Sequence, residues 1–263
     1  MAEEEPVFET TTGPPRIITA ASLFDGHDAA INVMRRLIQS AGAEVIHLGH
    51  DQSAKAVVDC AIQEDAHGVA LTSYQGGHVE YFTYIRQLLD EAGCEHIRIF
   101  GGGGGTITPP EIKTLHESGI SKIYSPDDGR TMGLMGMIHH LMGIASEVDL
   151  IHSDRLASLD GPVTPEDTAK VGLLLTMSES ADDATFKATL DTCRSSEKDV
   201  PVIGFTGTGG AGKSSLLDEL MLRILRDNPG KKVCLLCVDP TRKRTGGALL
   251  GDRIRMNSLS NND

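Results

Sequence analysis

The stretch that decides the fold is "RIITAASLFDGHDAAINVMRRLIQSAG", residues 16–42. Residues 16–23 form an apolar run that reads as a buried strand. From Ala30 onward the run is amphipathic, with Ile31, Met34, Leu37 and Ile38 spaced as one face of a helix expected to begin near Ala29. Between the two lies Phe24-Asp25-Gly26-His27-Asp28, so His27 sits where a strand hands over to a helix. A histidine in such a turn is either a solvated loop residue or a ligand. The turn alone does not separate these readings.

The alternation continues. "AEVIHLG", "GVALTSY", "IRIFGG" and "ISKIYSP" are further strand candidates, and further helices are expected to begin near Ala54, Val79, Pro109 and Thr131. Strands alternating with helices imply an α/β fold whose parallel sheet is covered on both faces. Five such units over residues 16–145 predict a flavodoxin-like, Rossmann-like sheet of order 2-1-3-4-5. In that order ligands bind beyond the carboxyl ends of the strands. His27 after strand 1, Ser73 and Tyr74 at the end of strand 3, and Gly101 to Gly105 after strand 4 therefore gather at one edge. Asp25 is close enough to hydrogen-bond one imidazole nitrogen of His27, which would fix the tautomer and leave the other nitrogen as a ligand.

Composition excludes several classes. The chain has 263 residues, 40% hydrophobic and 23% charged, with a net charge of -13. Such a balance supplies a core but no basic surplus for nucleic acid or an anionic membrane. No apolar run reaches membrane-spanning length. The opening "MAEEEPVFETTTG" reads as a flexible tail over residues 1–15, not a targeting segment. The five cysteines make no disulfide framework and fit a reducing cytoplasm. Cys234 and Cys237 have C-x-x-C spacing, but the leucines between them favour a buried strand over a redox or zinc site.

Residues 146–199 carry few strand signals and read as a helical linker, with "TPED" starting a helix at an N-cap Thr164. At residues 200–263 the character changes again. "GTGGAGKS", Gly207 to Ser214, matches G-x-x-x-x-G-K-[ST] at every fixed position. It lies between "VPVIGFT", expected as a buried strand, and "SSLLDELMLRILRD", expected as an amphipathic helix. Glycines in such a loop turn successive N–H groups toward phosphate oxygens, and the helix end adds to the field. Lys213 is expected to reach the β- and γ-phosphates and Ser214 to ligate Mg²⁺. A second apolar run, "KKVCLLCVDP", ends in Asp239, a candidate Mg²⁺ carboxylate. No N-K-x-D and no later D-x-x-G follow, so the segment reads as the amino-terminal part of a P-loop domain.

The set "DGHDAA", "SYQ" and "GGGGG" resembles the D-x-H-x-x-G, S-x-L and G-G pattern of the cobalamin-binding domain of adenosylcobalamin mutases and methionine synthase. Ala30 stands where that family has glycine, and Gln75 where it has leucine. The resemblance implies that His27 replaces the cofactor's benzimidazole as lower cobalt ligand, and that the displaced nucleotide tail threads past Ser73 and the glycines. The cofactor-binding set it implies is Asp25, Gly26, His27, Asp28, Ser73, Gln75, Gly101, Gly102, Gly103 and Gly104.

"GFTGTGGAGKSS" and "VDPTRKRTGGALLGDRIRM" resemble the GTPase chaperones that guard cobalamin mutases. That likeness implies GTP as the nucleotide, held by Gly207, Gly209, Gly210, Ala211, Gly212, Lys213, Ser214, Ser215 and Arg255. It also implies Mg²⁺ held by Ser214, Asp239 and Asp252. The order of the two segments resembles the fused isobutyryl-CoA mutase family, in which a substrate-binding barrel follows. By that resemblance the chain is part of an adenosylcobalamin-dependent enzyme that isomerises isobutyryl-CoA to n-butyryl-CoA, inactive as a mutase without the barrel that takes acyl-CoA. Two further partners come with it: a second copy in a homodimer of the full-length protein, and an adenosyltransferase that delivers cofactor. The alternative is a non-catalytic cobalamin carrier or regulatory module with a nucleotide switch.

Overall fold

A computed structural model describes residues 6–194, 200–208 and 210–236. The chain divides into two compact units, residues 1–196 and 197–263. The first alternates strand and helix as β1 (Arg16–Ser22), α1 (Asp28–Ser40), β2 (Glu44–Gln52), α2 (Ala54–Gln63), β3 (Gly68–Thr72), α3 (His78–Glu91), β4 (Arg98–Gly102), α4 (Pro109–Glu117), β5 (Lys122–Tyr124) and α5 (Pro126–Ser146). Three helices follow: α6 (Ser153–Leu156), α7 (Thr168–Ser180) and α8 (Asp183–Cys193). The second unit holds α9 (Lys213–Asp227).

The sheet is parallel, in the expected order β2-β1-β3-β4-β5. Strands β1 and β3 are buried almost throughout because helices cover both faces, which is why their sequences are continuous apolar runs and do not alternate. One side of the sheet packs Ile17, Ala70 and Phe100 against Ile38 of α1 and Ile138, Leu141 and Met142 of α5. Strands β1 and β3 are central, so the loops after them lie at the switch point of the sheet.

Four helix starts fall within a residue of expectation, and the fifth does not. Helix α5 begins at Pro126 because Ser125 and Asp128 form a reciprocal capping box that starts a first helical piece earlier than Thr131, and a kink at Gly133 (φ 67°, ψ 174°) separates it from the second. The "TPED" reading is corrected too. Asp167 accepts hydrogen bonds from the Thr164 backbone N–H at 2.8 Å and from its hydroxyl at 3.0 Å. These bonds close a turn, and α7 starts only at Thr168.

Residues 146–194 are helical but not a loose connection. Helix α7 lies on α2 so closely that a Cβ on Gly172 would come within 2.9 Å of the Ile62 carbonyl oxygen. Buried Asp65 ties this layer down. It accepts from the Arg155 guanidinium at 2.6 Å and from the Thr176 hydroxyl at 2.7 Å. Arg16 at the start of β1 donates to Thr176 as well, at 3.0 Å. The segment expected as a tail also has contacts: Phe8 packs against the core, and the Thr11 hydroxyl donates to Asp149 at 2.9 Å.

In the second unit no strand forms among the described residues, contrary to the reading of residues 200–206 and of 231–239, whose last three lie outside the described residues. Val202 and Ile203 are 93% and 74% exposed, and Cys234 is exposed. A parallel strand is held by hydrogen-bonded neighbours, and apolar character does not supply them. Cys237 lies outside the described residues.

Candidate functional site

The site lies at the carboxyl edge of the sheet. Asp25 is fully buried in the turn after β1, and its carboxylate organises the turn. One oxygen accepts from the His27 backbone N–H at 2.9 Å and bonds His27 Nδ1 at 2.7 Å. The other accepts from the Tyr74 backbone N–H at 2.6 Å, tying the turn after β1 to the turn after β3. Burial alone would raise the pKa of Asp25, but the hydrogen bonds from Tyr74 and His27 outweigh it and hold the carboxyl below the usual range. An ionised carboxylate can only accept, so Nδ1 carries a proton, and in the neutral imidazole the lone pair is then on Nε2. The His27 side chain is 63% exposed and lies beside Tyr74, their ring centroids 5.5 Å apart. A histidine with one nitrogen anchored and the other open is the form that coordinates a metal.

Beside it runs a cleft of about 560 Å³ between α1 and the start of α5. Its floor includes Thr72, Gly102 and Gly103, and its walls include Ala30, Met34, Tyr74 and Leu134. It is mostly apolar, with a single notable polar atom at depth. Thr72 is buried and its hydroxyl oxygen has no hydrogen-bond partner. A buried hydroxyl is nearly always paired; this one is unpaired and shielded by the atoms around it, on a residue that lines the cleft. The neighbouring Ser73 is differently placed: its hydroxyl is buried and accepts from Ser22 at 2.9 Å. Sequence reading singled out Ser73 and passed over Thr72, whose only signal was a polar residue at the end of an apolar strand.

The glycine run divides in the same way. A Cβ on Gly101 would stand 2.6 Å from the Phe82 ring, and one on Gly103 only 1.9 Å from the Ser73 carbonyl oxygen. These two glycines admit the protein's own α3 and its β3 turn. On Gly102 a Cβ would meet nothing nearer than the Tyr124 carbonyl oxygen at 3.6 Å, so its bare backbone opens on the cleft. Gly104 lines it too, with φ 57°. Gly26 and Gln75 are exposed, and Asp28 opens α1. Ala30, in the place of a glycine, forms part of the cleft wall.

In the second unit, Gly210 and Gly212 take the left-handed φ values of 79° and 81° that turn the loop into α9. The Lys213 ammonium folds back over the loop and donates to the Thr208 carbonyl at 2.9 Å. No side chain caps α9. Its first N–H groups are therefore available to an anion, with Ser214 and Ser215 in the first turn. Gly209, Asp239, Asp252 and Arg255 lie outside the described residues. Among the described residues no cluster of three or more His, Cys, Asp or Glu side chains is arranged for a metal ion, and no helix is long and apolar enough to cross a membrane.

Residues 15–123 match the B12 binding domain family, and residues 171–263 match the methylmalonyl-CoA mutase-associated GTPase MeaB family. The chain is 52% identical over 256 residues to a fused isobutyryl-CoA mutase of Geobacillus kaustophilus, a match covering 93% of this chain and 23% of that protein. A fused isobutyryl-CoA mutase of Nocardia farcinica is 51% identical over 247 residues, covering 94% of this chain and 23% of that one. The chain thus spans about a quarter of the length of these relatives. The 2-hydroxyisobutanoyl-CoA mutase small subunit of Aquincola tertiaricarbonis is 34% identical over 115 residues, which is 43% of this chain and 82% of that subunit. With the buried Asp25, the open His27 and the glycine-floored cleft set beside them, these matches place the chain in the B12-binding acyl-CoA mutase family, as a B12 binding domain followed by a MeaB-type GTPase segment.

Proposed function

We propose that the first unit holds adenosylcobalamin with His27 as the lower cobalt ligand and the cofactor's nucleotide tail in the cleft beside it. The observation that carries this reading is the Asp25–His27 pair next to an apolar cleft whose buried Thr72 hydroxyl lacks a partner. Asp25 fixes the tautomer, so Nε2 is the atom offered to cobalt. Thr72 and the Gly102 backbone meet the tail, and Ala30, Met34 and Tyr74 keep water from it. When bound, adenosylcobalamin supplies a carbon radical by homolysis of its cobalt–carbon bond. The protein's part is to seat and orient the cofactor.

The whole protein, on this proposal, isomerises isobutyryl-CoA to n-butyryl-CoA. Acyl-CoA is taken by a barrel in the longer protein, and this chain alone does not turn substrate over. Lys213, Ser214 and the α9 terminus bind the phosphates of GTP with Mg²⁺, and Asp239 and Asp252 complete the metal set. Nucleotide binding and hydrolysis guard cofactor loading. Reduced, buried Cys60, Cys94 and Cys193 support a cytoplasmic setting. A homodimer and an adenosyltransferase partner belong to the same proposal.

The test is electron paramagnetic resonance of the cob(II)alamin complex with ¹⁵N-histidine protein. Nitrogen coupling from His27, lost in His27→Ala, is expected. Coupling from the cofactor's own benzimidazole would overturn the ligand assignment.

A further inference from the structure

Three non-glycine residues among those described have a positive φ: Phe24 at 63°, Asp51 at 56° and Asp65 at 47°. Aspartate tolerates the left-handed region because its short side chain bonds locally, whereas a bulky aromatic there is a true outlier. Two of these residues hold each other. The Phe24 backbone N–H donates to the Asp51 carboxylate at 2.7 Å, across the ends of β1 and β2. The next residue is fixed as well, since the Asp25 N–H donates to the Ser22 carbonyl at 3.0 Å. Phe24 is therefore locked in an unfavourable backbone conformation by partners on both sides.

Its side chain gains nothing in return from the fold. Phe24 is 80% exposed, more than any other aromatic residue described. Glycine would satisfy the same φ without strain and without an apolar ring in water. Local strain that the surroundings enforce, carrying a side chain the core does not use, marks a residue kept for a ligand. The ligand is constrained by place. Phe24 follows β1 on the sheet edge that carries His27, three residues away in the same short turn, and His27 is itself open to solvent.

We infer that Phe24 is a corrin-contact residue, an apolar platform held by Asp51 beside the lower face of the macrocycle. This rests on the assignment of His27 as lower ligand. A corrin seated over His27 has a broad face with apolar edges extending well beyond the metal, and Phe24, 80% exposed against 38% for Leu23, is the largest and most open apolar group that the turn offers to it. The contact is to the ring system and not to the nucleotide tail, because the cleft that suits the tail is lined from α1, β3, β4 and α5 and does not include Phe24.

The experiment compares the full 263-residue chain with Phe24→Ala, Phe24→Gly and Asp51→Ala. Affinity is measured by fluorescence quenching for hydroxocobalamin and for tail-less aquacobinamide, whose axial water can be displaced, with cob(II)alamin paramagnetic resonance as an independent readout. Phe24→Ala and Phe24→Gly are expected to weaken both corrinoids by about tenfold, the scale of one lost aromatic contact. The histidine nitrogen coupling is expected to persist. Asp51→Ala shifts affinity in the same direction by releasing the turn. Phe24→Gly relieves the strained φ, so its melting temperature should equal or exceed that of the wild type, and weakened binding there is not a folding defect. Unchanged affinity of Phe24→Gly for both corrinoids, in protein whose wild type shows histidine coupling, overturns the inference. Loss of cobalamin affinity alone, with cobinamide unaffected, also overturns it, by assigning Phe24 to the tail. Absence of histidine coupling in the wild type would instead overturn the assignment of His27.

Discussion

Replacing Asp25 by asparagine separates two duties of one carboxylate. Three donors converge on it: the His27 N–H and Nδ1 on one oxygen, and the Tyr74 N–H on the other. An amide has one acceptor oxygen. If that oxygen faces His27, the amide NH₂ meets the Tyr74 N–H donor to donor; if it faces Tyr74, the bond from the His27 backbone N–H is lost and Nδ1 can be met only as an acceptor, which moves the imidazole proton to Nε2. Either way a buried backbone donor is orphaned and the charge assistance disappears. The penalty is about 3 kcal/mol, from the cost of an unpaired buried group together with the strength of bonds to a charged acceptor. For a unit of this size that lowers Tm by about 6–12 °C. The carboxyl's folded pKa is depressed, so its contribution is complete above the ordinary carboxylate range and is lost as pH falls through the folded value. At pH 7 the whole difference should therefore be visible in calorimetry. Binding falls further than stability alone explains, by about 10- to 100-fold, because the anchor of a metal-binding histidine has been weakened. Asp25→Asn with wild-type Tm and wild-type hydroxocobalamin affinity would refute the claim that this carboxylate both closes the turn and sets the imidazole.

Three further outcomes follow from the geometry. Gly102→Val should weaken cobalamin far more than cobinamide in a quenching titration, since its side chain enters the cleft, whereas Gly103→Ala should lower Tm because its Cβ would stand 1.9 Å from the Ser73 carbonyl. The opposite pattern would move the tail elsewhere. Asp65→Ala should cost about 3–5 kcal/mol by leaving Arg155 unpaired and should bring the first proteolytic cuts into α6 and α7, which are expected to resist in the wild type; identical digests, compared by mass spectrometry, would deny the clamp. Burial, then the charge of Arg16, holds the His67 pKa down to about 4 from 6.5. The unfolded chain thus binds a proton that the folded one refuses as pH falls from 6.5 toward 4, so stability that is complete above 6.5 is lost on acidification, by about 3 kcal/mol for this group. Urea midpoints from pH 7.5 to 4.5 should fall less steeply in His67→Asn, and equal slopes would exclude His67 as the cause.

What the sequence showed was whatever local patterns carry. Apolar runs followed by amphipathic ones name the strands and helices of the first unit, and the turn residues after β1 name Asp25 and His27. Features set by contacts distant in the chain stayed hidden. Asp65, Arg155, Thr176 and Gly172 look unremarkable one by one, yet they seat a whole helical layer on α2, and a reading by composition saw a linker. The apolar run at residues 200–206 announced a strand, but strands require neighbours, and among the described residues none pairs with it. The adjacent hydroxyls at the end of β3 show the limit most sharply. Side chains alternate across a strand, so a shift of one residue separates a hydroxyl bonded in the core to Ser22 from a buried, unpaired one on a residue that lines the cleft. Nothing in "GVALTSY" states which of Thr72 and Ser73 faces which way. Only the register of β3 between β1 and β4, with Thr72 beside Gly102, decides it. Tail binding should accordingly depend on the residue at 72, while a change at 73 should act through the turn that Ser22 holds.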